Sequence, residues 1–310
     1  MKKIFSLALL CLLLISLFTS CSTKKANDEQ FYDNDSKLKI VSTIFPYYDF
    51  AKQMTGDKAD VKMLLSPGSE PHDFEPTPSD IISINNADIF IYNGGESDEW
   101  VESILDSIDS HIIVVKMMDY INPVHEQSIE KEEEDEYDEH IWTSPKNAVK
   151  MASALKDQFK TSDPKNADFY EQQGSEYISK LQSLDNEFSE AVENGNRKSV
   201  VFGDRFPFLY FVKEFNLDYE CAFPGCSSET EPSVATVTHL IDYVRDENIP
   251  VVFYLDFSNQ AVANLLCEDS SAKKLLFHDC HSITADEFYG GATYISLMEE
   301  NLQALKEALK

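Results

Sequence analysis

The chain has 310 residues, 43% hydrophobic and 26% charged, with 55 acidic against 26 basic side chains. A formal net charge of −29 argues against nucleic acid as a partner and against docking on anionic lipid through a basic face. The length points to two domains or one large one, and the apolar content is enough for a sizeable core.

Met1 to Ser20 reads as a signal peptide, with Lys2 and Lys3 as its charged start and Ile4 to Phe18 as an apolar stretch short for a bilayer span. Thr19-Ser20 then places Cys21 after small residues, as in a bacterial lipobox, so Cys21 is the expected lipidation site. The competing reading is an uncleaved anchor. Residues 21–36 are polar and are expected to be a flexible, lipidated tether. The mature chain is then extracytoplasmic, held at the cell membrane by the lipid on Cys21. Apart from Cys11 and Cys21, the cysteines are Cys221, Cys226, Cys267 and Cys280. In an exported chain these read first as two disulfides, and otherwise as buried thiols.

Lys37 to Thr43 alternates and is expected to be a strand, followed by a helix from Phe45 to Met54 with Pro46 in its first turn. Val61 to Leu65 is the next strand. Beyond it lies Ser66-Pro67-Gly68-Ser69-Glu70-Pro71-His72-Asp73-Phe74-Glu75-Pro76-Thr77-Pro78, a loop stiffened by prolines, with Thr77 or Ser79 able to cap the helix that follows. His72 is thus held beyond a strand end, where open α/β sheets bind ligands. Ile89 to Tyr92 and Ile112 to Val115 are continuous apolar runs, as in strands buried on both faces, separated by an amphipathic stretch from Trp100 to Ile108.

Glu130 to Glu139 is almost wholly acidic, with His125 before it; it reads as a solvated loop, or as a loop that collects metal beside a site. His140 comes next, then Ser144-Pro145 as a helix start. One helix is expected from Lys146 to Lys160 and a second over 165–195, about 45 Å long at 1.5 Å per residue, enough to cross between domains. The strand–helix rhythm then resumes: strands at Ser199–Phe202, Val251–Leu255 and Leu275–Phe277, with helices at Pro207–Phe215, Val234–Arg245, Ala261–Glu268 and Tyr294–Leu309. The expected fold is α/β, two lobes each with a mainly parallel sheet flanked by helices, joined by a long rigid backbone helix. The expected division is an N-terminal lobe over 37–164, the linking helix over 165–195 and a C-terminal lobe over 196–310.

Three loops beyond strands carry imidazoles: His72, His140, and the pair His278 and His281. Imidazoles converging from separate strand ends suit zinc, with nearby carboxylates able to orient the rings. His111 and His239 read as structural or solvated.

These stretches make the chain similar to the solute-binding lipoproteins of zinc and manganese ABC importers. The resemblance is carried by PGSEPHDFEPTPSD, DEHIWTSP, the long middle helix and ATYISLMEENLQALKEAL. It implies two α/β lobes with metal in the cleft between them, and carries two ligands over to His72 and His140. The family's third ligand falls at Gly203, which has no side chain to offer. The resemblance to a subgroup from Gram-positive bacteria implies that His278 and His281 replace the missing ligand, as two ligands or as one ligand and one orienting group. Asp204 is the rival, as a ligand or paired with Arg205. The same resemblance implies the pairs Cys226–Cys280 and Cys221–Cys267.

The implied function is a monomeric binding protein, not an enzyme, that captures zinc outside the membrane and delivers it to an ABC permease. Manganese fits less well, because it prefers carboxylates. The alternatives are a zinc-dependent hydrolase, or an adhesin-like surface lipoprotein with a structural metal. Metal binding is expected to weaken below about pH 6.5, where imidazoles protonate.

Overall fold

The structure, a computed structural model, describes residues 37–125, 137–225, 232–268 and 270–310. The expected signal peptide and tether with Cys21, residues 126–136, which include Glu130–Glu136 of the acidic stretch, and Cys226 lie outside the described residues.

The first half runs β1 (Leu38–Ser42), α1 (Phe45–Thr55), β2 (Ala59–Met63), α2 (Pro78–Asn85), β3 (Ile89–Tyr92), α3 (Glu99–Ile104), β4 (Ile113–Lys116) and α4 (Pro145–Ser162). The long helix α5 (Ala167–Glu193) follows. The second half runs β5 (Ser199–Phe202), α6 (Leu209–Phe215), β6 (Asp218–Cys221), α7 (Val234–Asp246), β7 (Val251–Tyr254), α8 (Ala261–Glu268), β8 (Lys273–Leu276), α9 (Ala285–Gly290) and α10 (Tyr294–Ala308).

The strands form two parallel four-stranded sheets, ordered β2-β1-β3-β4 and β6-β5-β7-β8. All four residues of β3 are buried, which is why its sequence is apolar without alternation. In each sheet the chain steps outward from the first strand and then returns to its other side. The crevices beyond the carboxyl ends of β1 and β3, and of β5 and β7, are therefore switch points at which ligands bind.

Helix α5 buries a stripe of Tyr170, Gly174, Tyr177, Leu181, Leu184 and Phe188, spaced three or four apart. Its 27 residues span about 40 Å. It packs against α1 and α4 from the first half and α6 and α10 from the second. Asp49 of α1 fastens this junction: its buried carboxylate accepts from the Tyr177 hydroxyl at 3.2 Å and from the Tyr294 amide, at the start of α10, at 3.0 Å. Burial pushes its pKa up to about 6.

The expected Cys221–Cys267 bridge is not formed, and both cysteines are free thiols. Side chains alternate across a sheet. Cys221 stands in register with Phe202 and packs on the large core, whereas Cys267 packs on the smaller core of Val201, Val252 and Leu266. The second sheet lies between them, and a disulfide needs Cα atoms within about 7 Å. Cys280 is also a free, buried thiol; the Cys226 half of its expected bridge lies outside the described residues.

Candidate metal centre

His72 sits on the loop between β2 and α2. Gly68 turns that loop at φ +87°, a left-handed conformation that favours glycine, and its amide donates to the Ile283 carbonyl at 2.8 Å. The loop ends in a capping box, with Thr77 accepting from the Asp80 amide and Asp80 accepting from the Thr77 amide. The His72 ring is held by Ser97, whose Oγ lies 3.0 Å from Nδ1.

His140 is buried just before a single 3-10 turn, Ile141–Thr143. Asp138 accepts from the His140 amide at 2.8 Å and lies 3.2 Å from ring Nδ1. A carboxylate there favours the proton on Nδ1 and the lone pair on Nε2, the arrangement of a metal-binding histidine oriented by a carboxylate.

Glu139, also buried, accepts from the Ser97 amide at 2.9 Å and from the Ser97 hydroxyl. A Cβ on Gly95 would collide with the Glu139 side chain, so glycine there leaves the space that Glu139 fills. Nothing in the acidic run had singled out Glu139. The signal that could have done so is its position next to His140.

His281 lies beyond β8. Cys280 before it takes φ +57°, and the His281 amide donates to Asp279 Oδ1 at 2.8 Å. Trp142 donates from Nε1 to the Asp279 carbonyl at 2.7 Å, joining this loop to the segment that carries His140. His281 Nδ1 is buried and has no hydrogen-bond partner among the described residues.

The structure brings His72, His140 and His281 together with Glu139: one ligand atom from each lies within 4.8 Å of all the others. Ring centroids are 6.0 Å apart for His72 and His140, 5.1 Å for His72 and His281, and 5.5 Å for His140 and His281. Burial, reinforced by His140 and Arg205, lowers the His72 pKa to about 4. Burial also drives His281 well below the usual imidazole value, with His72, His140 and Arg205 adding to it. The cluster is thus three imidazoles, two of them held neutral by burial, beside one carboxylate, the donor chemistry of a borderline cation such as zinc. Arg205 and Glu70 approach to 3.5 Å, an ion pair between the segment after β5 and the loop that carries His72.

Residues 40–308 match the family described as zinc-uptake complex component A, periplasmic (ZnuA). The chain belongs to this family. It is 33% identical over 322 residues to the zinc-binding lipoprotein AdcA of Streptococcus pneumoniae, an alignment that covers 99% of this chain but only 61% of AdcA. It is also 33% identical to the high-affinity zinc uptake system protein ZnuA of Bacillus subtilis, over 96% of this chain and 95% of that protein. The Zn(II)-bound ZnuA-like domain of S. pneumoniae AdcA superposes with a TM-score of 0.74 at 32% identity, covering 88% of this chain and 99% of the domain. The metal-dependent lipoprotein YcdH of B. subtilis superposes with a TM-score of 0.77 at 33% identity, covering 88% of this chain and all of that one.

His278, expected among the ligands, stands apart from the other three histidines. Asn301 of α10 clamps its backbone, accepting from the His278 amide and donating to its carbonyl, each at 2.7 Å. Its ring faces Asp256 at 2.8 Å through Nδ1 and Glu300 at 3.3 Å through Nε2. The turn at Cys280 separates the two imidazoles, so only His281 joins the cluster. Asp204 also lies outside the cluster: Oδ1 accepts from the Arg205 amide at 2.9 Å and Oδ2 from the Leu255 amide at 3.3 Å. Its carboxylate holds the backbone beyond β5 and β7.

At Gly203 a Cβ would lie 2.6 Å from Ala263 Cα, because α8 runs directly against this position. The missing side chain is therefore a packing requirement of this chain. His111 is an exposed partner of Asp109 and His239 of Glu220, as solvated residues should be. The His125 ring packs on Tyr137, with centroids 4.4 Å apart.

Proposed function

We propose that this chain captures zinc between its two lobes through His72, Glu139, His140 and His281, and hands the ion to an ABC permease. The observation that carries this reading is the convergence of three imidazoles and one carboxylate from three separate loops. A tetrahedral zinc ion with bonds of about 2.0–2.1 Å holds its donors about 3.4 Å apart, so a small closing movement suffices. Three imidazoles favour zinc over manganese. Four protein donors fill the shell, whereas a catalytic zinc keeps a position for water, so the donor set supports binding rather than hydrolysis.

The lobes of this reading are 37–164 and 196–310, with 165–195 as the linking helix. The mature chain acts outside the cytoplasm as a monomer, tethered by a lipid on Cys21. The names of its relatives, a zinc-binding lipoprotein and a zinc uptake protein, support this placement.

Competition with a zinc-chelating dye tests the reading. Wild type should bind one zinc tightly, and His72→Ala and His281→Ala should each weaken it by more than about 100-fold, beyond the usual loss of an orienting group. Unchanged affinity in both would overturn the ligand set. Growth on limiting zinc, with and without the gene, separates uptake from an adhesive role.

A further inference from the structure

We propose that Asp256, His278 and Glu287, with Glu300 at the rim, form a second divalent-cation site, separate from the three-imidazole cluster. One ligand atom from each of Asp256, His278 and Glu287 lies within 4.8 Å of the others. His278 Nδ1 is 2.8 Å from Asp256 Oδ2 and 4.0 Å from Glu287 Oε1, and Nε2 is 3.3 Å from Glu300 Oε2. The four residues come from the segment after β7, the segment after β8, α9 and α10, so the site is built by the tertiary fold.

Three observations favour a cation over a plain ion pair. Charge is the first: one imidazolium balances one carboxylate, yet three converge here, and no Lys or Arg among the described residues pairs with any of them. A dication bound to a neutral imidazole leaves less uncompensated charge than a proton does. Glu287 supplies the second. Its Oε2 is committed to the cap of α9, accepting from Thr284 at 3.0 Å, which leaves Oε1 on the His278 side. The third is a graded approach from solvent. Side-chain exposure falls from 69% at Glu300 through 28% at Glu287 and 9% at Asp256 to 2% at His278. An ion can thus enter through an exposed carboxylate and settle beside a buried nitrogen. One imidazole with hard carboxylate oxygens discriminates less between zinc and manganese than three imidazoles do.

The site does not depend on the zinc-capture reading, and the experiment keeps the two apart. Metal-free full-length protein is titrated with zinc, and separately with manganese, by calorimetry and native mass spectrometry. Wild type should show a tight zinc event and a second, weaker event that manganese also produces. His140→Ala should weaken only the tight event. Asp256→Asn and Glu287→Gln, which keep hydrogen bonding and the helix cap, should each weaken the second by about tenfold or more and spare the first. Glu300→Gln, whose carboxylate faces the other ring nitrogen, removes an orienting group and should weaken the second event less than the other two, with the least risk to folding. Absence of a second event in wild type, or a second event unchanged in all three carboxylate variants, would overturn the site. Failure of His140→Ala to alter the tight event would instead count against the capture reading alone.

Discussion

The two sheets share one topology but load the cleft unequally. Beyond the first, the loop after β2 carries His72 and the segment before α4 carries Glu139 and His140, with Ser97 and Asp138 holding them. Beyond the second, the turn after β5 offers Gly203, packed against Ala263, and only His281 reaches the cluster. Matching strand orders therefore do not imply matching chemistry. What a strand end can present depends on how closely the neighbouring helix approaches it.

The largest expected effect comes from the richer side. His140→Ala should reduce zinc affinity by more than about 100-fold in the dye competition, exceeding the usual loss of an orienting group. A smaller loss than that of His281→Ala would invert the comparison.

Placing an imidazole on the poorer side, at the position where the resemblance puts a third ligand, should fail. Gly203→His places a side chain against the backbone of Ala263, and overpacking of this kind typically costs about 1–3 kcal/mol. Denaturant unfolding should show that loss, with no gain in zinc affinity. A stable variant that binds more tightly would mean that α8 yields more readily than its packing indicates.

Acidity and alkalinity should separate two imidazoles of opposite environment. The His72 pKa is lowered to about 4, so between about pH 6.5 and 4 the unfolded chain binds a proton that the folded chain does not, and stability falls as pH falls. His278 is the reverse. Burial opposes its charge, but hydrogen bonding to Asp256, the charges of Asp256 and Glu287, and hydrogen bonding to Glu300 outweigh burial and raise its pKa to about 9. Its contribution is complete below about pH 6.5 and is lost as pH rises through about 9. Thermal unfolding of the metal-free protein across this range should show both flanks. His72→Gln should soften only the acid one and His278→Gln only the alkaline one.

The smallest effect concerns Asp204. Because its carboxylate holds backbone amides, Asp204→Asn should change zinc affinity by less than the roughly tenfold expected of an orienting group. A larger loss in the same assay would return it to the cluster.

The sequence by itself determined the α/β alternation, the fully buried strand β3 and the long helix, because these rest on local periodicity and on buried apolar runs; the run at Ile112–Val115, expected to be buried on both faces, instead forms the edge strand β4 and leaves Val114 exposed. The stiff loop of His72 and the DEHIW stretch were legible for the same reason: prolines, caps and turn residues act within a few positions. Strand β6 was not legible, because Asp218-Tyr219-Glu220-Cys221 is a polar edge strand that takes its conformation from pairing with β5. The short helix α9 carries too few residues for a periodic signal. Only the tertiary structure divided His278 from His281, since three residues of separation say nothing about the turn at Cys280 or the clamp by Asn301. Only the tertiary structure brought Glu139 into the cluster, put a sheet between Cys221 and Cys267, and made Gly203 a contact with α8. Each depends on which groups meet across tens to about two hundred residues of chain, and no local pattern encodes such an encounter.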